Sequence, residues 1–449
     1  MKQEGLTVVI PAYGDKNLVF RSVYSAASAY RGKSSKYKLE ILIYADDIEY
    51  QEAHKGASQY DYFTTDEFLD LLTYKDLTEI KVIHNLEVYG EHIYQGGGRL
   101  EGLNNSKYKY VSLMDCDDVY SPSFIVEAMN IIEREEDRCP IFRVGLGHLS
   151  FDEHGYRKNV GHSIWVQSYI WNSEFIKKYG FTMNGIYTHK INRRQGEDYL
   201  MCQEMSYVFD HYRATEEDIA KGRVFDKDHK PLLWQEIQTN DSSPDALPNS
   251  FWFPNADSLS RQDIYYGQHL AGSTMNSSNT IIEFMEKFNK ENGLVDKEDE
   301  AMKHRLLNMT IYSWFNLADF LKTVAWSYQI KQCNKDAPDY YTPKEEDWYL
   351  LRDNCAKLRI HFLKYYKEVQ YSDIEDELYN VRHRSDARVC NVWFGTFYDY
   401  MNKPCKLFGM DYKEMIDYCH KLQFDNNAIN CTDSQQYKSF MKRHALQRQ

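Results

Sequence analysis

The chain has 449 residues, of which 43% are hydrophobic and 27% are charged. At about 100–200 residues per domain this length predicts two or three domains, and the composition is typical of a globular protein. No stretch approaches the ~20 apolar residues that a transmembrane helix needs. The net charge of −13 has the wrong sign for holding nucleic acid over a broad face, so nucleic acid is an unfavoured partner. A local basic groove stays open as an alternative.

The nine cysteines are odd in number and form no Cys-x-x-Cys pair. This usage predicts a reduced, cytoplasmic protein without a zinc ribbon or a disulfide framework. The N-terminus runs straight into an apolar block, so no secretory leader is predicted. A basic C-terminal tail leaves a peripheral membrane location as the alternative. The oligomeric state is not indicated by the sequence.

The N-terminal part, residues 1–258, alternates short apolar blocks with helical stretches. Near-continuous Val, Ile and Leu separated by helices predicts a mostly parallel sheet that is covered on both faces. A helix is predicted over 17–30, and the predicted strands are 6–11, 39–45, 80–84, 110–114, 140–150 and 163–170.

The C-terminal part, residues 259–449, has a different pattern. A turn-rich stretch at 239–249 (TNDSSPDALPN) predicts a surface loop, and we interpret it as a lid. Beyond it, apolar and aromatic residues recur at helical spacing with few β-rich blocks. We therefore predict an α-helical C-terminal domain whose helices cover 281–288, 302–329, 348–366 and Tyr412–Leu422.

Three of the predicted strands are followed by turn-forming or acidic residues. In a parallel sheet these residues converge on one edge, where such folds bind their ligands. An Asp-x-Asp group placed there can share a divalent cation with a diphosphate. An acidic helix start is the alternative interpretation. The three groups are Pro11-Ala12-Tyr13, Asp46-Asp47 and Asp115-Cys116-Asp117.

Two further groups are candidates for chemistry. Glu197-Asp198 precedes an apolar helix start, where a carboxylate could act as a general base or simply favour the helix N-terminus. A run of three glycines precedes Arg99. The run permits close backbone approach to a ligand, and Arg99 could pair with a phosphate. A flexible turn with a solvent-facing arginine is the alternative.

Taken together, these motifs resemble the N-terminal half of a family 2 glycosyltransferase with the GT-A fold. The matching segments are PAYGD at 11–15, ADD at 45–47, GGGRLEGL at 96–103, MDCDD at 114–118 and GEDYL at 196–200. The resemblance extends over about residues 5–262 and implies a GT-A, Rossmann-like, mostly parallel sheet. The C-terminal helices lie outside it.

The resemblance also implies a role for individual residues. Asp117, together with Asp115, would hold Mn²⁺ or Mg²⁺, and Asp198 would be the general base. His211 is a third metal ligand or a structural histidine. The second motif lacks its usual Gly-Ser, so Asp46 and Asp47 are alternatives. The residues implied to hold the nucleotide-sugar are Pro11, Ala12, Tyr13, Asp46 or Asp47, Arg99, Asp115 and Cys116.

The function implied by the resemblance is metal-dependent, inverting sugar transfer. The donor would be a nucleotide-diphosphate sugar, with a UDP-sugar favoured. The acceptor would be a hydroxyl of a glycan or a lipid-linked molecule in surface polysaccharide synthesis. Two alternatives stay open. One is glycosylation of modified DNA bases or of protein, and the other is a non-catalytic nucleotide-sugar-binding module.

Overall fold

The chain divides into two compact units, Met1–Ala256 and Asp257–Gln449. Each is described by itself below. The computed structural model describes residues 3–29, 38–121, 124–125, 129, 141–144, 147–152, 155–160, 169–174, 197–211, 215–220, 235–237, 250–251, 274–294, 302–303, 305–307, 309–310, 317, 320–321, 324–325, 328, 331, 344–366 and 406–422.

The first unit is built on a seven-stranded sheet. Four strands pair in parallel in the order β3-β2-β1-β4, which confirms the predicted fold class. In β1, β2 and β4 most described side chains are buried, as expected for strands covered on both faces, whereas β3 at the edge of the sheet is mostly half-buried. The strands are β1 (Gln3–Ala12), β2 (Lys38–Ala45), β3 (Thr78–His84) and β4 (Tyr108–Leu113).

The other side of this sheet is mixed. Its β9 pairs antiparallel with both β4 and β6, and β10 pairs parallel with β6. A second, four-stranded sheet has the order β5-β11-β7-β8. The remaining strands are β5 (Val119–Tyr120), β6 (Ile141–Val144), β7 (Gly147–Asp152), β8 (Gly155–Val160), β9 (Tyr169–Asn172), β10 (Gln235–Ile237) and β11 (Ser250–Phe251).

Two strand predictions need correction. The single strand predicted over 140–150 is two strands, β6 and β7, which belong to different sheets. Periodicity cannot reveal such a change of sheet, because both pieces have similar local composition. The strand predicted over 163–170 overlaps only the start of β9, and residues 161–168 lie outside the described part of the chain.

Helices cover the parallel strands. In the helix that follows β1, the side chains of Val19, Val23 and Ala26 are fully buried. They belong to the core that includes the inward side chains of β1 and β2. The helices of this unit whose bounds the structure describes are α1 (Lys16–Ala29), α2 (Ile48–Ala53), α3 (Asp66–Leu69), α4 (Asn85–Tyr89), α5 (Tyr94–Asn105), α6 (Glu197–His211) and α7 (Glu216–Ala220), with 3-10 turns at Gln59–Thr64 and Lys75–Leu77.

The glycine run lies inside α5, so it is neither a turn nor a loop. The glycines instead let the helix approach the sheet. A Cβ on Gly102 would lie 2.3 Å from Val9 Cγ1, and one on Gly98 would lie 3.2 Å from the Cβ atoms of Pro11 and Tyr44. A side chain at Gly102 would therefore overlap Val9, and one at Gly98 would be crowded, so the two glycines allow α5 to pack closely on β1.

The second unit is helical where the structure describes it, and each predicted helix has a counterpart. The bounds of α10 coincide with those predicted, and 302–329 is helical at its described positions. Asn279 Nδ2 donates to the carbonyl oxygen of Asn354 at 3.1 Å and so joins α8 to α9. Over the described residues, no helix combines the length and apolarity needed to cross a membrane. The helices of this unit whose bounds the structure describes are α8 (Thr274–Glu291), α9 (Glu345–Tyr365) and α10 (Tyr412–Leu422), with a 3-10 turn at Lys406–Gly409.

Candidate active site

The predicted strand-end groups meet at the carboxyl edge of β2, β1 and β4. The amide of Asp46 donates to the carbonyl oxygen of Ala12 at 2.8 Å, and the amide of Met114 donates to that of Val9 at 2.9 Å. The chain leaving each strand is therefore tied to its neighbour. This is the edge at which open α/β sheets bind their ligands.

Asp46 is buried and holds the segment that leads into α5. Its carboxylate accepts hydrogen bonds from Asn85 Nδ2 at 3.0 Å and from the amides of Ile93 and Tyr94 at 3.3 and 3.0 Å. Tyr94 has a φ of +54°, a left-handed conformation that a bulky residue adopts only under constraint. The described contacts of Asp46 thus fix a strained backbone at the edge of the site.

Asp47 organises the chain that follows β2. It accepts from Gln51 Nε2 at 2.6 Å, from Ser58 Oγ at 2.7 Å and from the amide of Gln59 at 3.2 Å. Gln59 and Tyr60 in turn donate to the carbonyl oxygen of Gly14, at 2.6 and 2.9 Å. This carboxylate therefore connects the chain after β2 to the chain after β1. A direct contact of either Asp46 or Asp47 with a nucleotide stays a prediction.

The Asp115-Cys116-Asp117 group forms a turn after β4 that α1 holds in place. Ser22 Oγ of α1 lies 2.7 Å from the carbonyl oxygen of Cys116 and 2.6 Å from that of Asp118. Burial raises the pKa of the Cys116 thiol to about 12, so it is protonated at neutral pH and is not a nucleophile. Sequence reasoning did not find Ser22, because a serine inside an amphipathic helix carries no distinctive pattern.

Asp117 has the electrostatics expected of a cation ligand. Burial and, secondly, the neighbouring charge of Asp115 raise the pKa of its carboxyl group to about 6. A divalent cation relieves such crowding, and carboxylate oxygens are the ligands that Mg²⁺ and Mn²⁺ prefer. The residues present therefore fit such an ion. Among the residues that the structure describes, no group of three or more His, Cys, Asp or Glu side chains is arranged to hold a metal by itself.

Arg99 lies at the centre of a buried ion cluster. One terminal nitrogen of its guanidinium contacts Asp115 Oδ1 and the other contacts Glu197 Oε1. Gln95, one turn earlier in α5, places its Nε2 3.4 Å from Glu197 Oε2. The sequence indicated both Arg99 and the Glu-Asp pair as candidates but did not predict this contact, which joins residues 98 positions apart.

The predicted base, Asp198, is the second residue of α6. Its side chain lies outside what the structure describes. His211 is the last residue of the same helix, 14 positions after Glu197, which is about 20 Å along the helix axis. Its Nδ1 lies 2.9 Å from the carbonyl oxygen of Tyr207. The ring of His211 thus contacts the backbone of its own helix, and a part of His211 in a metal site stays a prediction.

Of the remaining candidates, Pro11 and Ala12 are buried at the end of β1, whereas Tyr13 is 62% exposed at the same edge. Trp171 is fully buried in β9 and is part of the core. The predicted lid over 239–249 lies outside the described residues. Tyr13 is thus an exposed ring beside the acidic turn, in a place where a flat ligand could contact it.

A mostly parallel sheet with clustered carboxylates and a buried arginine at its carboxyl edge defines an α/β enzyme of the nucleotide-binding type. Residues 7–199, less than half of the chain, match the family model "Glycosyl transferase family 2". This match confirms the resemblance over that segment, and it classes the protein as a glycosyltransferase. None of the curated proteins matches the chain.

Solved structures of S. aureus TarS show a distant likeness. TarS 1–349 in complex with UDP is 11% identical, with 80% of this chain and 89% of that chain covered at a TM-score of 0.35. A longer TarS structure is 10% identical and is covered over 54% of its length, at a TM-score of 0.33. The complex of TarS 1–349 with UDP-GlcNAc is 9% identical, with 80% and 89% of the two chains covered at a TM-score of 0.33.

Proposed function

We propose that the chain transfers a sugar from a nucleoside-diphosphate sugar to a hydroxyl group of a glycan or lipid-linked acceptor in polysaccharide synthesis. The observation that carries this proposal is the convergence, within the family 2 segment, of the acidic turn after β4 with the first turn of α6. The Arg99 contacts bring these two parts together. The family resemblance implies that the acidic turn after β4 binds the donor and that the first turn of α6 carries the base.

In the proposed reaction, Asp198 takes the proton of the acceptor hydroxyl while that oxygen attacks the anomeric carbon. The bond from this carbon to the diphosphate breaks on the opposite face, and its electron pair leaves with the nucleoside diphosphate. A single displacement inverts the anomeric centre. General-base catalysis of this kind contributes about 10²–10⁴-fold in rate.

A divalent cation, when bound, would supply charge neutralisation for the departing diphosphate. Asp117 is the described carboxylate that fits this ion best, because Asp115 already contacts Arg99. The nucleoside would lie at the same edge, beside the exposed ring of Tyr13 and the chain that Asp46 holds.

The binding step is tested by thermal unfolding with UDP, GDP, CMP or dTDP, each with and without Mn²⁺. A nucleotide at 100 times its dissociation constant adds about 2.7 kcal/mol to the stability of the folded state. We expect one nucleotide to raise the melting temperature only with Mn²⁺, and we expect Asp117→Asn to abolish that rise. Asp353→Asn, an exposed carboxylate on α9, is the matched control and keeps the rise.

The transfer step is tested by the release of nucleoside diphosphate from the donor in the presence of glycan acceptors. Asp198→Asn should lower the turnover by about 10²–10⁴-fold while nucleotide binding persists. If no nucleotide stabilises the protein, the proposed function is wrong. If Asp198→Asn transfers sugar at the wild-type rate, the base is another residue.

A further inference from the structure

The buried cluster of Arg99, Asp115 and Glu197, called the Arg99 cluster below, spans three separate elements. The side chains of Arg99 and Glu197 are 5% and 2% exposed, and that of Asp115 is 35% exposed. A guanidinium has a planar fork of donors, so it can contact two carboxylates at once, which the single point charge of a lysine does poorly. The cluster thus links α5 both to the turn after β4 and to α6.

The centre of this cluster has little freedom to move. Arg99 lies between Gly98 and Gly102. A Cβ on Gly102 would overlap Val9 of β1, and one on Gly98 would be in tight contact with Pro11 of β1 and Tyr44 of β2. Helix α5 therefore cannot slide or rotate on the sheet without losing close packing. Arg99 consequently projects from a fixed point relative to the strands whose ends form the site.

The far end of the cluster is the first residue of α6. Glu197 is held from α5 by Arg99 and also by Gln95 Nε2 at 3.4 Å. Asp198 follows in the same helical turn, about 100° around the axis and about 1.5 Å along it. Fixing the Glu197 side chain therefore fixes the rotation and the height of the turn that carries Asp198.

We infer that Glu197 is a positioning residue that, through Arg99, holds the first turn of α6 in register with the acidic turn after β4. The inference rests on the proposed function, in which those two turns carry the base and the donor. Arg99 is on this view a structural bridge between the two halves of the site. It does not act as a phosphate ligand while both carboxylates contact it.

Kinetics of Glu197 variants test the inference. Glu197→Ala removes the contact, and we expect the turnover number to fall by about 10²-fold, since a misplacement of about 1 Å has such an effect. The KM for the donor should stay within about threefold, because no donor contact is lost. Glu197→Gln keeps an oxygen that Arg99 can donate to, so it should recover part of the rate. Glu216→Ala, the exposed first residue of α7, is the matched control and should transfer normally.

A double-variant cycle separates positioning through Arg99 from a direct substrate contact. Arg99→Lys keeps the charge but loses the fork, so it should lower the turnover about as much as Glu197→Ala does. If Glu197 acts through Arg99, the double variant is little slower than either single variant. Fully additive losses, or a Glu197→Ala enzyme with wild-type turnover, would overturn the inference.

Hydrogen exchange tests the contact between Glu197 and Arg99 without a measurement of sugar transfer. In Glu197→Ala the amides of residues 200–203, the first that donate hydrogen bonds along α6, should exchange at least about tenfold faster, while those of residues 207–211 stay unchanged. Unchanged exchange of residues 200–203 would overturn the inference. If the wild-type chain transfers no sugar but Glu197→Ala still shows this change in exchange, the proposed function is refuted and the positioning contact stands.

Discussion

Glu204, in the middle of α6, is expected to make the stability of the first unit depend on pH. Its side chain is fully buried, and neither carboxylate oxygen has a hydrogen-bond partner among the residues that the structure describes. Met201 and Val208, one turn away on either side along the same face of the helix, are buried as well. Burial raises the pKa of Glu204 from 4.5 to about 8, so the folded protein keeps this group protonated at neutral pH.

The sign and size of the effect follow from that shift. An acid whose pKa is raised by folding stabilises the folded state fully below the unfolded pKa, and the contribution is lost as the pH rises towards the folded pKa. Each pKa unit is worth about 1.4 kcal/mol. Between pH 4.5 and pH 7 the folded state therefore loses about 3 kcal/mol, and the loss levels off above about pH 8.

Glu204→Gln removes the titration while it keeps the shape of the side chain. We expect the melting temperature of this variant, relative to the wild type, to rise from pH 5 to pH 8. A difference of about 3 kcal/mol corresponds to roughly 6–12 °C for a unit of this size. Calorimetry at four pH values measures this difference in melting temperature. The transition to follow is the one that the Glu204→Gln substitution shifts.

Glu216→Gln serves as the control, because Glu216 is exposed at the start of α7. The difference in melting temperature between Glu216→Gln and the wild type should stay constant across the same pH range. If the difference in melting temperature between Glu204→Gln and the wild type also stays constant, the pKa of Glu204 is not raised by folding. The reasoning from burial is then refuted.

Two further substitutions test the packing and the edge of the site. Gly102→Ala places a Cβ against Val9 and should destabilise the first unit by about 1–3 kcal/mol in urea denaturation, whereas Gly409→Ala has open space and should be nearly neutral. Equal effects of the two would contradict the close approach of α5 to β1. Asp46→Asn weakens the acceptor of the Asn85 and backbone hydrogen bonds and should cost about 1–3 kcal/mol, with faster exchange of the amides of residues 93–94. Unchanged exchange there would show that the carboxylate does not hold this segment.

Much of the fold was predictable from local pattern. The strand predicted over 39–45 is β2 (Lys38–Ala45), and the helix predicted over Tyr412–Leu422 has those bounds. Continuous aliphatic runs and helical spacing report burial directly, because they reflect which face of an element meets the core. The meeting of the acidic groups at one edge followed as well, since parallel strands place their carboxyl ends together.

Contacts between distant segments were decided only by the tertiary structure. The glycines beside Arg99 were open to interpretation as a turn or a ligand loop, and they prove to be the surface by which α5 meets β1. The sequence indicated Glu197 only as part of an acidic pair at a helix start, and the fold placed its side chain against Arg99, 98 positions earlier in the chain. The burial of Glu204 without a hydrogen-bond partner among the described residues is likewise a property of what surrounds α6. Local sequence specifies which segments form helices and strands, but the pairing of buried charges depends on how those elements pack, and no periodicity encodes that.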